Sequence, residues 1–116
     1  MKYTGSCHCG AVKFDIDSEE IQWGMVCNCS HCRRKWVLLT FIPETQFHLI
    51  SGQDNLSEYR FNKKVISHLF CKTCWVQAFW RGDGPGMTGT VAINIHCLDE
   101  VNEEALTIEH YNGKDI

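Results

Sequence analysis

The eight cysteines of this chain fall into three tight groups and one singlet: Cys7-His8-Cys9, Cys27-Asn28-Cys29-Ser30-His31-Cys32, Cys71-Lys72-Thr73-Cys74, and Cys97. Two thiolates one or two residues apart on a tight turn can both reach one ion, because zinc holds sulfur at about 2.3 Å in a tetrahedron. A disulfide between such close neighbours strains the preferred bridge geometry, so a bridged arrangement must send each cysteine to a distant partner. The clustering therefore points to metal.

Cys7 and Cys9 supply two ligands and Cys71 and Cys74 two more, which predicts a closed structural site tying the first turn of the chain to one about sixty residues later. Zinc bound by such peptides contributes on the order of 10–16 kcal/mol, as much as the roughly 5–15 kcal/mol net stability of a whole domain. A redox role for the Cys71-Lys72-Thr73-Cys74 pair would call for a βαβ setting, which the surrounding pattern lacks. Cys27, Cys29 and Cys32 differ, since they make three thiolates with no fourth cysteine close by. Catalytic zinc keeps a position open for water or substrate, so this set predicts a reactive ion able to take a substrate thiol. The competing reading is a second structural site completed by His31, His8, His68, His96 or Cys97. Arg33, Arg34 and Lys35 follow directly and fit two roles, a solvated face or a cationic patch for the carboxylates of an anionic thiol.

These groups need a scaffold. Ala11 to Asp17 alternates apolar and polar residues, placing Val12, Phe14 and Ile16 on one face of a half-buried strand. Ile21–Cys27, Trp36–Ile42, Gln46–Ile50, Ser57–Phe61, Val65–Phe70, Val76–Trp80 and Thr90–Ile95 carry similar signals, being short, rich in β-branched and aromatic residues and bounded by turn formers. Helical turns are expected only near Ser30 and Asn102. The fold expected is mainly β, a single small domain over residues 1–116 with two prolines and no repeat or linker. Trp23, Trp36, Trp80 and the phenylalanines are its core or the wall of a pocket.

Composition narrows the partners. A net charge of −3 and a pI of about 6.0 provide no basic field for a polyanion, which argues against nucleic acid. Met1 to Cys7 holds no apolar core of signal-peptide length, and no apolar run approaches the roughly 20 residues of a membrane helix. With so many thiols, the expectation is a soluble cytoplasmic protein whose cysteines stay reduced for metal. Gly82-Asp83-Gly84-Pro85-Gly86 lacks the lysine and hydroxyl ending of a phosphate loop and reads as a connection.

In this order the motifs resemble the glutathione-dependent formaldehyde-activating enzyme family, related to centromere protein V. Gly5-Ser6-Cys7-His8-Cys9-Gly10-Ala11-Val12 resembles its opening, Cys27-Asn28-Cys29-Ser30-His31-Cys32-Arg33 its central motif and Phe70-Cys71-Lys72-Thr73-Cys74 its third. The closing segment is similar through Ala92 to Asp99 and His110-Tyr111-Asn112-Gly113. The resemblance implies a zinc-bearing β-tent of short antiparallel strands, a structural zinc on Cys7, Cys9, Cys71 and Cys74, and a catalytic zinc on Cys27, Cys29 and Cys32. It also implies a carbon–sulfur lyase activity, the condensation of glutathione with formaldehyde to S-(hydroxymethyl)glutathione. One departure is Trp75, where the family usually has glycine. A bulky residue adopts a left-handed turn only at a cost, so the third knuckle is expected to be shaped differently.

Cys97 ends an apolar strand and reads as a small buried hydrophobe more readily than as a ligand. His8 and His31 sit between ligands and read as turn residues facing solvent. A second reading of the whole chain makes both metals structural and the β-tent a non-catalytic binding module for a protein partner. A fourth protein ligand on the central ion would mark that module.

Overall fold

Apolar alternation buries Phe14 and Ile16 in β2 (Lys13–Asp17) and leaves Lys13 and Asp17 exposed, as a strand with one face on a core requires. The computed structural model describes residues 2–28, 30–35, 37–59, 66–82 and 89–111 and, of 30–32, 66, 67 and 82, the backbone alone. β2 lies between β1 (Lys2–Ser6) and β5 (Phe47–Ser51) in a three-stranded antiparallel sheet. A larger sheet contains β3 (Trp23–Cys27), β4 (Leu39–Pro43), β6 (Leu56–Tyr59), β7 (Ile66–Cys71), β8 (Phe79–Gly82), β9 (Thr90–Asn94) and β10 (Thr107–Tyr111). Its order is β10-β3-β4-β9-β8-β7-β6. A single α-helix among the described residues, α1 (Ser30–Lys35), follows β3, and a 3₁₀ turn at Glu103–Ala105 is capped by Asn102.

The protein is mainly β, as expected, and among the described residues its strand pairings are antiparallel but for one: β10 runs parallel to β3. Neither β1 nor β10 is among the strands expected from the sequence. In β1 a glycine, Gly5, takes an inward position where an apolar side chain would have completed the alternation. β10 is exposed along its whole length and buries no face that could impose a period. Conversely, β8 starts at Phe79, later than the Val76 expected, because Val76 closes a turn and Ala78 accepts from Asn94 outside the ladder. Phe61, Val65, Trp36 and the loop from Asp83 to Gly86 lie outside the described residues.

Adjacent residues of a strand face opposite ways, and Phe79 and Trp80 divide the interior accordingly. Phe79 belongs to the main core, between the two sheets, with Tyr3, Phe14, Ile16, Phe47, Ile42, Val91 and Ile93. The rings of Phe14, Phe47 and Phe79 meet there with centroids 4.8 to 6.0 Å apart, inside the range of favourable aromatic packing. Trp80 belongs to a second cluster with Cys27, Val37, Leu39 and Ala92, flanked by Met25 and Phe41. Cys7 and Cys71 are part of the first cluster and Cys27 of the second.

Candidate metal centre

Two six-residue knuckles build the first sulfur group. In Cys7 to Val12, the Cys7 N–H donates to the Val12 carbonyl at 3.0 Å and Gly10 turns the chain at φ +84°. In Cys71 to Val76 the same closure recurs, with the Cys71 N–H donating to the Val76 carbonyl at 3.1 Å. Here the left-handed residue is Trp75, at φ +63°. The expectation that a tryptophan would reshape this knuckle is therefore not met: Trp75 adopts the left-handed conformation itself, at a cost of about 1–2 kcal/mol. Its ring lies 5.9 Å from that of Phe70 and is largely exposed.

The knuckles face each other at the edge of the main core. Four sulfurs bound at about 2.3 Å to one tetrahedral ion must lie about 3.8 Å apart. Cys7 and Cys9 have sulfurs 3.6 Å apart, as do Cys9 and Cys71, and the sulfurs of Cys7, Cys9, Cys71 and Cys74 all lie within 4.8 Å of one another. Their geometry thus fits a tetrahedral thiolate site that could hold a metal ion. Cysteines 7, 9, 27, 71, 74 and 97 are unbridged, so the disulfide alternative fails for them.

Backbone N–H groups point at this sulfur set. Val12 donates to Cys7 Sγ at 3.4 Å and Thr73 to Cys71 Sγ at 3.3 Å. At Cys71, burial raises the pKa, but hydrogen bonds from the Cys74 and Thr73 amides and from the thiols of Cys9 and Cys7 outweigh it and bring it down to about 6. Burial also opposes ionisation of Cys74, whose pKa is nevertheless lowered by the amides of Cys9 and Val76. For Cys9 the Ala11 amide pulls downward, yet desolvation and the neighbouring sulfurs of Cys7, Cys71 and Cys74 carry it up to about 11. Thiolates crowded this closely repel one another, and a divalent cation relieves that repulsion for all four at once.

The central motif is described only in part. Cys27 ends β3, is buried against Val37, Leu39, Trp80 and Ala92, and is not one of the four grouped cysteines. Cys29 lies outside the described residues, and Cys32 is placed by its backbone within α1. Arg33, Arg34 and Lys35 form the exposed last turn of α1, where positive charge suits the carboxyl end of a helix. Lys35 Nζ also sits 4.8 Å above the Phe70 ring.

Of the residues weighed as further ligands, His96 and Cys97 are engaged elsewhere, His68 is buried on the Trp80 side of the larger sheet, and the side chain of His31 lies outside what is described. His96 Nδ1 pairs with Glu103 Oε1 at 2.6 Å, and His8 is exposed. His68 lies opposite Trp80 across the β7–β8 ladder. Cys97 packs against the main core, where burial and the charges at Cys7, Cys74 and Asp99 push its pKa to about 12. Cys97 is partly buried there, where a buried small hydrophobe was expected. Sequence reasoning missed Asn55, which donates to Cys71 Sγ at 3.2 Å. An asparagine at the end of a turn is too ordinary to draw notice.

A crystal structure of a protein from Rhodobacter sphaeroides shares this fold, with a TM-score of 0.81 and 25% sequence identity over 94% of this chain and 99% of that one. The model of the glutathione-dependent formaldehyde-activating enzyme family matches residues 2–114, which include all three cysteine motifs. The chain belongs to the glutathione-dependent formaldehyde-activating enzyme family.

Proposed function

We propose that this chain is a two-zinc enzyme of the carbon–sulfur lyase kind, acting on a thiol–carbonyl adduct such as S-(hydroxymethyl)glutathione. The observation that carries this reading is the separation of the sulfurs. Cys7, Cys9, Cys71 and Cys74 gather at the main core, while Cys27 belongs to the cluster on the other face of the larger sheet. A four-thiolate site is complete without the central motif, so Cys27, Cys29 and Cys32 are left as a three-thiolate set with one position for substrate.

When bound there, zinc supplies Lewis acidity that lowers the pKa of a thiol or polarises a carbonyl oxygen. Cys27, Cys29 and Cys32 would hold the ion, and the apolar residues around Cys27 would keep water from that side. Arg33, Arg34 and Lys35 offer cationic groups to the carboxylates of a small anionic thiol such as glutathione. In the addition, the thiol sulfur's electron pair forms the S–C bond and the carbonyl π pair moves to oxygen. That oxygen takes up the proton the thiol gives up, so the atoms of formaldehyde and glutathione are all retained in the product. Unbridged cysteines and the net charge of −3 agree with a cytoplasmic protein that binds no nucleic acid. The family match over nearly the whole chain agrees with one domain over residues 1–116.

The test measures zinc in the purified protein and in Cys29→Ala and follows S-(hydroxymethyl)glutathione formation with both. About two zinc ions should fall to about one, with the fold retained and the rate lost, because Cys7, Cys9, Cys71 and Cys74 make up the four-thiolate site without Cys29. A central ion with a fourth protein ligand and no rate enhancement by the parent protein would replace the enzyme with the binding module.

A further inference from the structure

We infer that the turn from Ser51 to Asn55 braces the four-thiolate site and that Asn55 is a positioning residue for Cys71. The inference rests on the reading of that sulfur group as a metal site. One short segment touches both knuckles. At its start, Ser51 Oγ donates to the Ala11 carbonyl at 3.3 Å, and Gly52 lies so close to the first knuckle that a Cβ there would come within 2.4 Å of the Ala11 oxygen and 2.6 Å of Val12 Cα. The segment then tightens into a 3₁₀ turn in which the Asn55 N–H donates to the Gly52 carbonyl at 2.8 Å.

At its end, Asn55 engages the second knuckle in three ways. Its carbonyl accepts the Lys72 N–H at 2.8 Å. Its side-chain amide donates to Cys71 Sγ at 3.2 Å and to Thr73 Oγ1 at 3.0 Å, which uses both protons of the NH₂ group. Cys71 is wholly buried, so water cannot replace the donor that Asn55 provides. Partners outside the ligand set fix the direction of a ligand's lone pairs, and their loss typically weakens metal binding about 10–100-fold. Asn55 has that relation to Cys71. Through Gly52 the same turn holds the backbone whose Ala11 and Val12 amides point at Cys9 and Cys7.

Zinc affinity by chelator competition tests this in the Cys29→Ala background, where the remaining ion belongs to the four-thiolate site. Asn55→Asp keeps the shape and the backbone contact but replaces a donor by a negative acceptor facing the thiolate. It should weaken zinc binding about 10–100-fold and alter the thiolate-to-cobalt absorption of the cobalt-substituted protein. Gln53→Ala, at an exposed position of the same turn, should change neither. Should Asn55→Asp fail to fold, Asn55→Ala carries the same two readouts without the added charge. A folded Asn55 variant that binds zinc as tightly as its parent and keeps the parent's cobalt spectrum overturns the inference. A parent that binds no metal at Cys7, Cys9, Cys71 and Cys74 overturns instead the reading beneath it.

Discussion

Gly52→Ala and Gly10→Ala together weigh how closely the brace approaches the first knuckle. Both glycines have left-handed backbones, at φ +90° and +84°, so alanine at either position pays about 1–2 kcal/mol of conformational cost. Their surroundings differ. Around Gly10 a Cβ meets only Lys13 Cε at 3.8 Å, an ordinary contact, whereas at Gly52 it meets the Ala11 oxygen at 2.4 Å, Val12 Cα at 2.6 Å and Val12 Cγ2 at 2.8 Å. Two of those three atoms are backbone and cannot rotate away, which adds an overpacking cost of about 1–3 kcal/mol. The expected losses are thus about 1–2 kcal/mol for Gly10→Ala and about 2–5 kcal/mol for Gly52→Ala. Urea unfolding of the zinc-loaded proteins measures both, and with about 4 °C per kcal/mol the melting temperatures should separate visibly. Equal losses at the two positions would mean that the turn does not press on the first knuckle, and would refute the steric argument.

Two other perturbations probe the site and its anchoring. Cys71→Ser should remove the ion of the four-thiolate site and with it much of the protein's stability, since such an ion contributes on the order of 10–16 kcal/mol. Cys97→Ser should leave the metal content unchanged, and metal analysis with thermal unfolding distinguishes the two. Glu100 accepts the Thr4 hydroxyl at 2.6 Å and the Thr4 N–H at 2.8 Å, and these bonds hold its pKa below the usual 4.5. A carboxyl depressed by folding stabilises the protein above its unfolded pKa and loses that contribution as pH falls through the folded value. Thr4→Val should therefore flatten the loss of stability on the acid side of pH 4.5, and an unchanged acid slope in urea titrations would count against the pairing.

Strands with a buried face are legible before any coordinates. Phe14 and Ile16 show their period because water is excluded from one side of them, whereas Thr90 to Asn94, buried on both faces, shows as a short apolar run. β10 has no such face, and Gly5 interrupts the period of β1, so neither strand left a signal. The local spacing Cys7-His8-Cys9 and Cys71-Lys72-Thr73-Cys74 was enough to suggest two ligand pairs, because each pair needs only one tight turn. Trp75 misled for a related reason: preference argues against a left-handed tryptophan, and the closed knuckle overrides preference.

What the amino-acid order determined by itself is the inventory: three cysteine motifs, a mainly β chain and a resemblance running through all of them. Tertiary structure alone decided which sulfurs meet, since Cys9 and Cys71 are 62 residues apart and reach 3.6 Å only after two sheets have packed on Phe14, Phe47 and Phe79. It also decided that Cys27 stands on the other face of the larger sheet and that Asn55 reaches the Cys71 sulfur. Local spacing sets what one turn can do; contacts between turns depend on burial summed over the whole chain, which no short motif contains.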